Sequence, residues 1–198
     1  MVPFKYERHP VADTALAEAM LGKTWRRDAP VPLEELTLLC VDHLGLDGTR
    51  RRGEIIVHRR IAPLVVAIFR DLYVAQFPIE KMRLLHHYDG DDEASMADNN
   101  SSAFNARPLT GQSAGWSKHS YGVAIDINPV INPYVTAEAC LPAEGQAYLD
   151  RDRQVPGHIS PGSVCYDAFV SRGFIWGGEW TDLKDYHHFE LPLASVGY

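Results

Sequence analysis

Three side chains in this sequence have the types and the spacing to hold a divalent cation. His119 and Asp126 lie seven residues apart in Ser117-Lys118-His119-Ser120-Tyr121-Gly122-Val123-Ala124-Ile125-Asp126-Ile127-Asn128. His188 stands near the far end, in Asp185-Tyr186-His187-His188-Phe189-Glu190. Two imidazoles and a carboxylate are a normal catalytic zinc set, with three protein ligands and the fourth position left to water. Zinc lowers the pKa of such a water to about 7. Asp185, three residues before His188, is placed to accept that proton and hand it to a leaving amine. The chemistry this pattern supports is hydrolysis.

The elements that carry these residues must bend to bring them together. Val123, Ile125 and Ile127 alternate with Ala124, Asp126 and Asn128, the pattern of a short half-buried strand. An odd separation on one straight strand would point His119 and Asp126 to opposite faces. Gly122 is therefore expected to turn the chain between them. In the second segment Tyr186, His188 and Glu190 share one face, while His187, Phe189 and Leu191 share another that looks like core. That favours His188 over His187 as the ligand.

The motif Ser117-x-His119-x-x-Gly122-x-Ala124-x-Asp126 followed by Asp185-x-x-His188-Phe189 resembles peptidase family M15. This is the zinc D-Ala-D-Ala carboxypeptidase family, with VanX-type dipeptidases and phage L-alanyl-D-glutamate endopeptidases among its relatives. The resemblance covers roughly residues 84–191. It implies zinc held by His119, Asp126 and His188, with Asp185 as general base. The dipeptidase branch usually has Glu at the base position, so Asp185 leans towards the endopeptidase branch. Gly173-Phe174-Ile175-Trp176-Gly177-Gly178-Glu179-Trp180 resembles the aromatic, glycine-rich approach to the last ligand in that branch. The resemblance also implies an arginine upstream of the first ligand that contacts substrate and the developing oxyanion. Arg107 is the best match and Arg83 the fallback. Ser117, Tyr121 and Trp180 are expected at the substrate or behind the ligands. The implied substrate is a peptidoglycan stem peptide. The rivals are a D,D-carboxypeptidase or dipeptidase that removes D-alanine, and a non-catalytic zinc-binding recognition domain of the kind found in Hedgehog proteins.

The remainder of the sequence fits one α+β domain over residues 1–198: a small, mainly antiparallel sheet with helices packed on one side, in the Hedgehog/DD-peptidase manner. Residues 1–30 are expected as an N-terminal helical extension. A hydrophobic share of 45% with 23% charged residues suits a folded globular chain rather than a disordered one. The net charge of −7 argues against a nucleic-acid partner, and no apolar run reaches the ~20 residues of a membrane helix. The first residues lack a signal peptide's apolar stretch, so action at the cell wall would need release by lysis or a leader already removed. A monomer is expected. Cys40, Cys140 and Cys165 contain no CxxC zinc pattern, although Cys140 and Cys165 could pair under oxidising conditions.

Along the chain, the spacing predicts helices over residues 12–21, 59–76 and 162–171. Strands are expected over 36–43, 54–57 and 82–88. Arg50 to Arg52 read as a solvated hairpin tip, and His86 and His87 as structural. Asp89 to Glu93 lacks the ligand order of a calcium loop. The polar stretch 98–108 is expected to be a functional loop, too polar for core.

Overall fold

The computed structural model describes residues 2–109 and 115–198. Its architecture is α+β, with three small antiparallel sheets in place of the one expected. The first sheet orders β1 (Tyr6–Pro10), β2 (Leu36–Leu44) and β3 (Arg50–His58) as β1-β2-β3. The second is β4-β9-β7, built from β4 (Ala124–Asp126), β7 (Ile175–Trp176) and β9 (His188–Glu190). The third is β6-β5-β8, built from β5 (Tyr134–Val135), β6 (Cys140–Leu141) and β8 (Lys184–Asp185). Strands of two or three residues pair only locally, which is why the chain forms three sheets.

Helix α1 (Ala15–Met20) is capped by Thr14, whose hydroxyl accepts from the Ala17 amide. Before it, β1 pairs with β2 from Tyr6↔Val41 to Pro10↔Thr37. The N-terminal segment is thus an edge strand followed by a short helix, rather than purely helical. Its side chains are exposed throughout β1, so no hydrophobic alternation betrayed the strand. Val11, Met20 and Val31 share a buried cluster with Leu36, Ile56 and Phe104.

The main core lies between sheets and helices. Helix α2 (Ala62–Val74) buries Val65, Ile68, Phe69 and Leu72 against β2, with Pro63 in its first turn where no amide is needed. Helix α4 (Val164–Val170), capped by Ser163, packs against α2 and β7. The rings of Phe169 and Phe189 stack at 4.1 Å, which fixes α4 over β9. Cys40, Cys140 and Cys165 are free thiols, and Cys165 is completely buried. Among the described residues, no helix is long and apolar enough to cross a membrane.

Three expectations change here. Residues 82–88 are not a strand: Leu85–Tyr88 form a 3-10 turn. The extended chain before it is satisfied by a side chain, since Asn100 accepts from the Arg83 amide at 2.7 Å and donates to the Arg83 carbonyl at 3.0 Å. An amide side chain substitutes for a neighbouring strand. The polar stretch 98–108 is also largely buried, with Asn100 and Ser101 fully enclosed. Its side chains find backbone and side-chain partners, among them Asn99 with Glu80 and Ser101 with the Asn128 amide at 3.0 Å, so polarity did not keep it at the surface. Arg50, Arg51 and Arg52 belong to β3 rather than to a tip, and are ion-paired with Asp42, Asp47 and Glu7. Helix α3 (Asp92–Ala97) follows the acidic turn, with Asp91 as its cap.

Candidate metal centre

Gly122 turns the chain as its position demands. Residues Lys118–Tyr121 form a 3-10 turn that ends on Gly122 at φ +66°, and β4 begins two residues later. His119 therefore projects from a turn and Asp126 from a strand end, which removes the opposite-face problem. A Cβ on Gly122 would also stand 2.6 Å from the His58 amide nitrogen, so a side chain is refused twice over.

His188 reaches Asp126 through strand register. In the β4–β9 pair, Asp126 lies directly opposite His188. The flanking bonds, Ile127 amide to His187 carbonyl and Leu191 amide to Val123 carbonyl, make 126–188 a non-hydrogen-bonded pair, the kind whose side chains approach most closely. His188 Nδ1 is 2.9 Å from Asp126 Oδ1, and His119 Nε2 is 3.2 Å from Asp126 Oδ2 and 3.2 Å from His188 Nδ1. All three side chains are buried, and their candidate donor atoms lie within 4.8 Å of one another.

This donor set fits zinc. Bonds of about 2.0–2.1 Å give a tetrahedron whose edges are about 3.3 Å, close to the separations found. The imidazoles are also oriented from behind. His119 Nδ1 donates to the Ala103 carbonyl at 2.5 Å, leaving Nε2 to face the cluster. His188 Nε2 is 3.1 Å from Glu190 Oε2. Burial pushes the Asp126 carboxyl up, but the His119, His187 and His188 imidazoles outweigh it and hold the group well below the usual carboxylate range. Burial likewise opposes charge on His188, yet Asp126 and Glu190 raise its pKa to about 10.

Asp185 lies on β8 beside this cluster, in the same cleft of about 290 Å³. Its Oδ1 is 2.9 Å from His187 Nε2, and His187 Nδ1 is 2.8 Å from the Asn132 carbonyl. Both ring nitrogens of His187 thus lie near oxygens, an environment that favours the charged ring, although the Asp185 contact lacks hydrogen-bond geometry. Burial works against this charge, but Asp185 and Asp126 raise the His187 pKa to about 9. Placing His187 on the core-facing side captured its burial and missed its contact with Asp185. Gly177 lies against the carboxylate's own residue: a Cβ there would come 2.6 Å from the Asp185 carbonyl oxygen and 2.8 Å from its Cβ.

The other expected site residues divide. Ser117 lines the cleft and caps the turn that carries His119, accepting from the His119 amide at 3.3 Å. Trp180 lines it too, its ring centroid 5.4 Å from that of His188. Arg107 also lines the cleft, with Nη2 2.9 Å from Asp92 Oδ2 on α3. Tyr121 is elsewhere: it packs edge-on against Tyr198 at 5.5 Å and is not among the cleft-lining residues. The fallback Arg83 also lies outside the cleft lining, over the ring of Tyr88. Trp176 is core. Cleft residues not singled out from sequence include Asp92, Lys118, Tyr134 and Leu183. Glu190 was visible only as a residue sharing the face of His188, and the Ala103 carbonyl had no sequence signal, because a backbone acceptor belongs to every residue.

No solved structure gives a significant match to the chain. Residues 110–191 match the family model Peptidase_M15_4, described as D-alanyl-D-alanine carboxypeptidase, and the matched segment contains all three candidate donors.

Proposed function

We propose that this protein is a zinc-dependent peptidase that cleaves a peptide bond in peptidoglycan stem peptides, with an endopeptidase of the L-alanyl-D-glutamate type as the leading form. The observation that carries the reading is the convergence of His119 Nε2, Asp126 and His188 Nδ1 within 4.8 Å, in a segment matching a peptidase family. Zinc held by these residues would supply Lewis acidity and an activated water at neutral pH. Asp185 takes the proton from the attacking water and delivers it to the departing amine, so that a C–O bond forms as the C–N bond breaks. His187 holds that carboxylate in place. Arg107 supplies positive charge in the cleft for the oxyanion, and Ser117 and Trp180 border the bound peptide.

Asp185 at the base position supports the endopeptidase form. The description of the matched family supports a second reading, a D,D-carboxypeptidase releasing terminal D-alanine. A defined stem peptide incubated with zinc-loaded protein separates the two by product mass: cleavage between L-alanine and D-glutamate gives the first, loss of one D-alanine the second. Zinc bound at one equivalent without cleavage of any stem peptide would point to a non-catalytic recognition domain and sink the enzymatic reading.

A further inference from the structure

We propose that Glu190 is a positioning residue for the metal site, holding His188 with its hydrogen on Nε2 so that Nδ1 is the donor nitrogen. The inference rests on the zinc reading above and assigns a role to a residue outside the three-ligand set. The two histidines present different nitrogens to the cluster: His119 turns Nε2 towards Asp126, whereas His188 turns Nδ1. A neutral imidazole carries one N–H, and the nitrogen that donates a lone pair is set by what the other nitrogen meets. Behind His119 the acceptor is the Ala103 carbonyl. Behind His188 it is the Glu190 carboxylate, 3.1 Å from Nε2. Nδ1 faces the Asp126 carboxylate, so both nitrogens can carry hydrogen until zinc replaces the one on Nδ1; a carboxylate can only accept, so the hydrogen on Nε2 would then stay and the Nδ1 lone pair would face the metal.

The strand dictates this contact. Glu190 follows His188 by two residues on β9, so both side chains leave the same face. Opposite Glu190 in the register stands Ala124, as Asp126 stands opposite His188. The alanine's small side chain leaves the carboxylate room to lie along the strand towards the imidazole. Glu190 is partly enclosed, with its side chain 18% exposed.

The test is zinc affinity, measured by competition with a chromogenic chelator, for wild type, Glu190→Gln and Glu190→Leu. Loss of the acceptor in Glu190→Leu should weaken zinc binding about 10- to 100-fold. Glu190→Gln, whose amide oxygen still accepts from Nε2, should recover most of that loss. Leu binding zinc as tightly as wild type would overturn the proposal. So would Gln binding as poorly as Leu, because charge or direct ligation would then be what Glu190 supplies. Imidazole nitrogen-15 spectra of the zinc-loaded wild type give a check independent of any variant's folding: His188 should be coordinated through Nδ1 and protonated at Nε2, and the reverse assignment refutes the idea. Wild type that fails to bind zinc at all would instead remove the parent reading.

Discussion

At the scale of single residues, the arrangement separates groups that would hold a metal from groups that would do chemistry. Asp126 is enclosed by imidazoles, while Asp185 is held by His187 and faces the cleft. Asp185→Asn should therefore keep zinc at one equivalent while turnover falls about 10²- to 10⁴-fold, the range for loss of a general base; a variant retaining full turnover would remove Asp185 from that role. Arg107→Ala removes a positive charge from the cleft without touching a donor. Its turnover should drop about 10²- to 10³-fold if the guanidinium meets the oxyanion, read as a lowered kcat with zinc content unchanged. The same substitution leaves Asp92 without the Arg107 ion pair, so Asp92→Asn is the companion variant: it should cost far less, because the arginine would survive it.

At the scale of elements, two glycines decide whether the site assembles. Gly122 lets a turn carrying His119 feed a strand carrying Asp126. Gly122→Ala must place a side chain at φ +66° and against the His58 amide. Such strain costs about 1–3 kcal/mol, and it should appear as a lower unfolding temperature together with weaker zinc binding. Gly177→Ala strikes β8 instead, forcing a Cβ into the Asp185 backbone. Overpacking of this kind also costs about 1–3 kcal/mol. Its signature should differ, with kcat reduced and zinc affinity near wild type, since Asp185 moves and the three donors do not. Equal loss of zinc in both variants would contradict this division of labour between elements.

At the scale of the whole molecule, protons and zinc compete for the same buried nitrogens. In the metal-free protein the pKa values of His187 and His188 are raised to about 9 and about 10, above the unfolded value of about 6.5. The folded state then binds more protons than the unfolded one. The stability these groups contribute is complete below pH about 6.5 and is lost as pH rises through about 9–10. Zinc reverses the sign for His188, because a ligand nitrogen must give up its proton and binding tightens as pH rises. Calorimetric scans from pH 6 to 9 should therefore show the metal-free unfolding temperature falling while the increment due to zinc grows. Adding a chelator should return the loaded protein to the metal-free curve. Parallel curves with and without zinc would mean that His188 is not a ligand.

The sequence by itself determined the candidate donor types, the need for a bend at Gly122, the α2 helix and the nearness of Asp126 to a late histidine. Those are local matters of period, backbone freedom and ligand chemistry. The periodicity also put His187 on a buried face, but burial is not the same as packing in hydrocarbon, and only the fold set its ring between Asn132 and Asp185. The tertiary structure alone decided that β1 is a strand, that Asn100 stands in for one beside Arg83, that Tyr121 turns to Tyr198, and that Ala103 and Glu190 back the two imidazoles. Each of these depends on what a distant segment brings to within hydrogen-bonding or van der Waals reach. A sequence fixes the periods and the chemistry of its side chains; which distant atom meets them is settled when the sheets and helices pack.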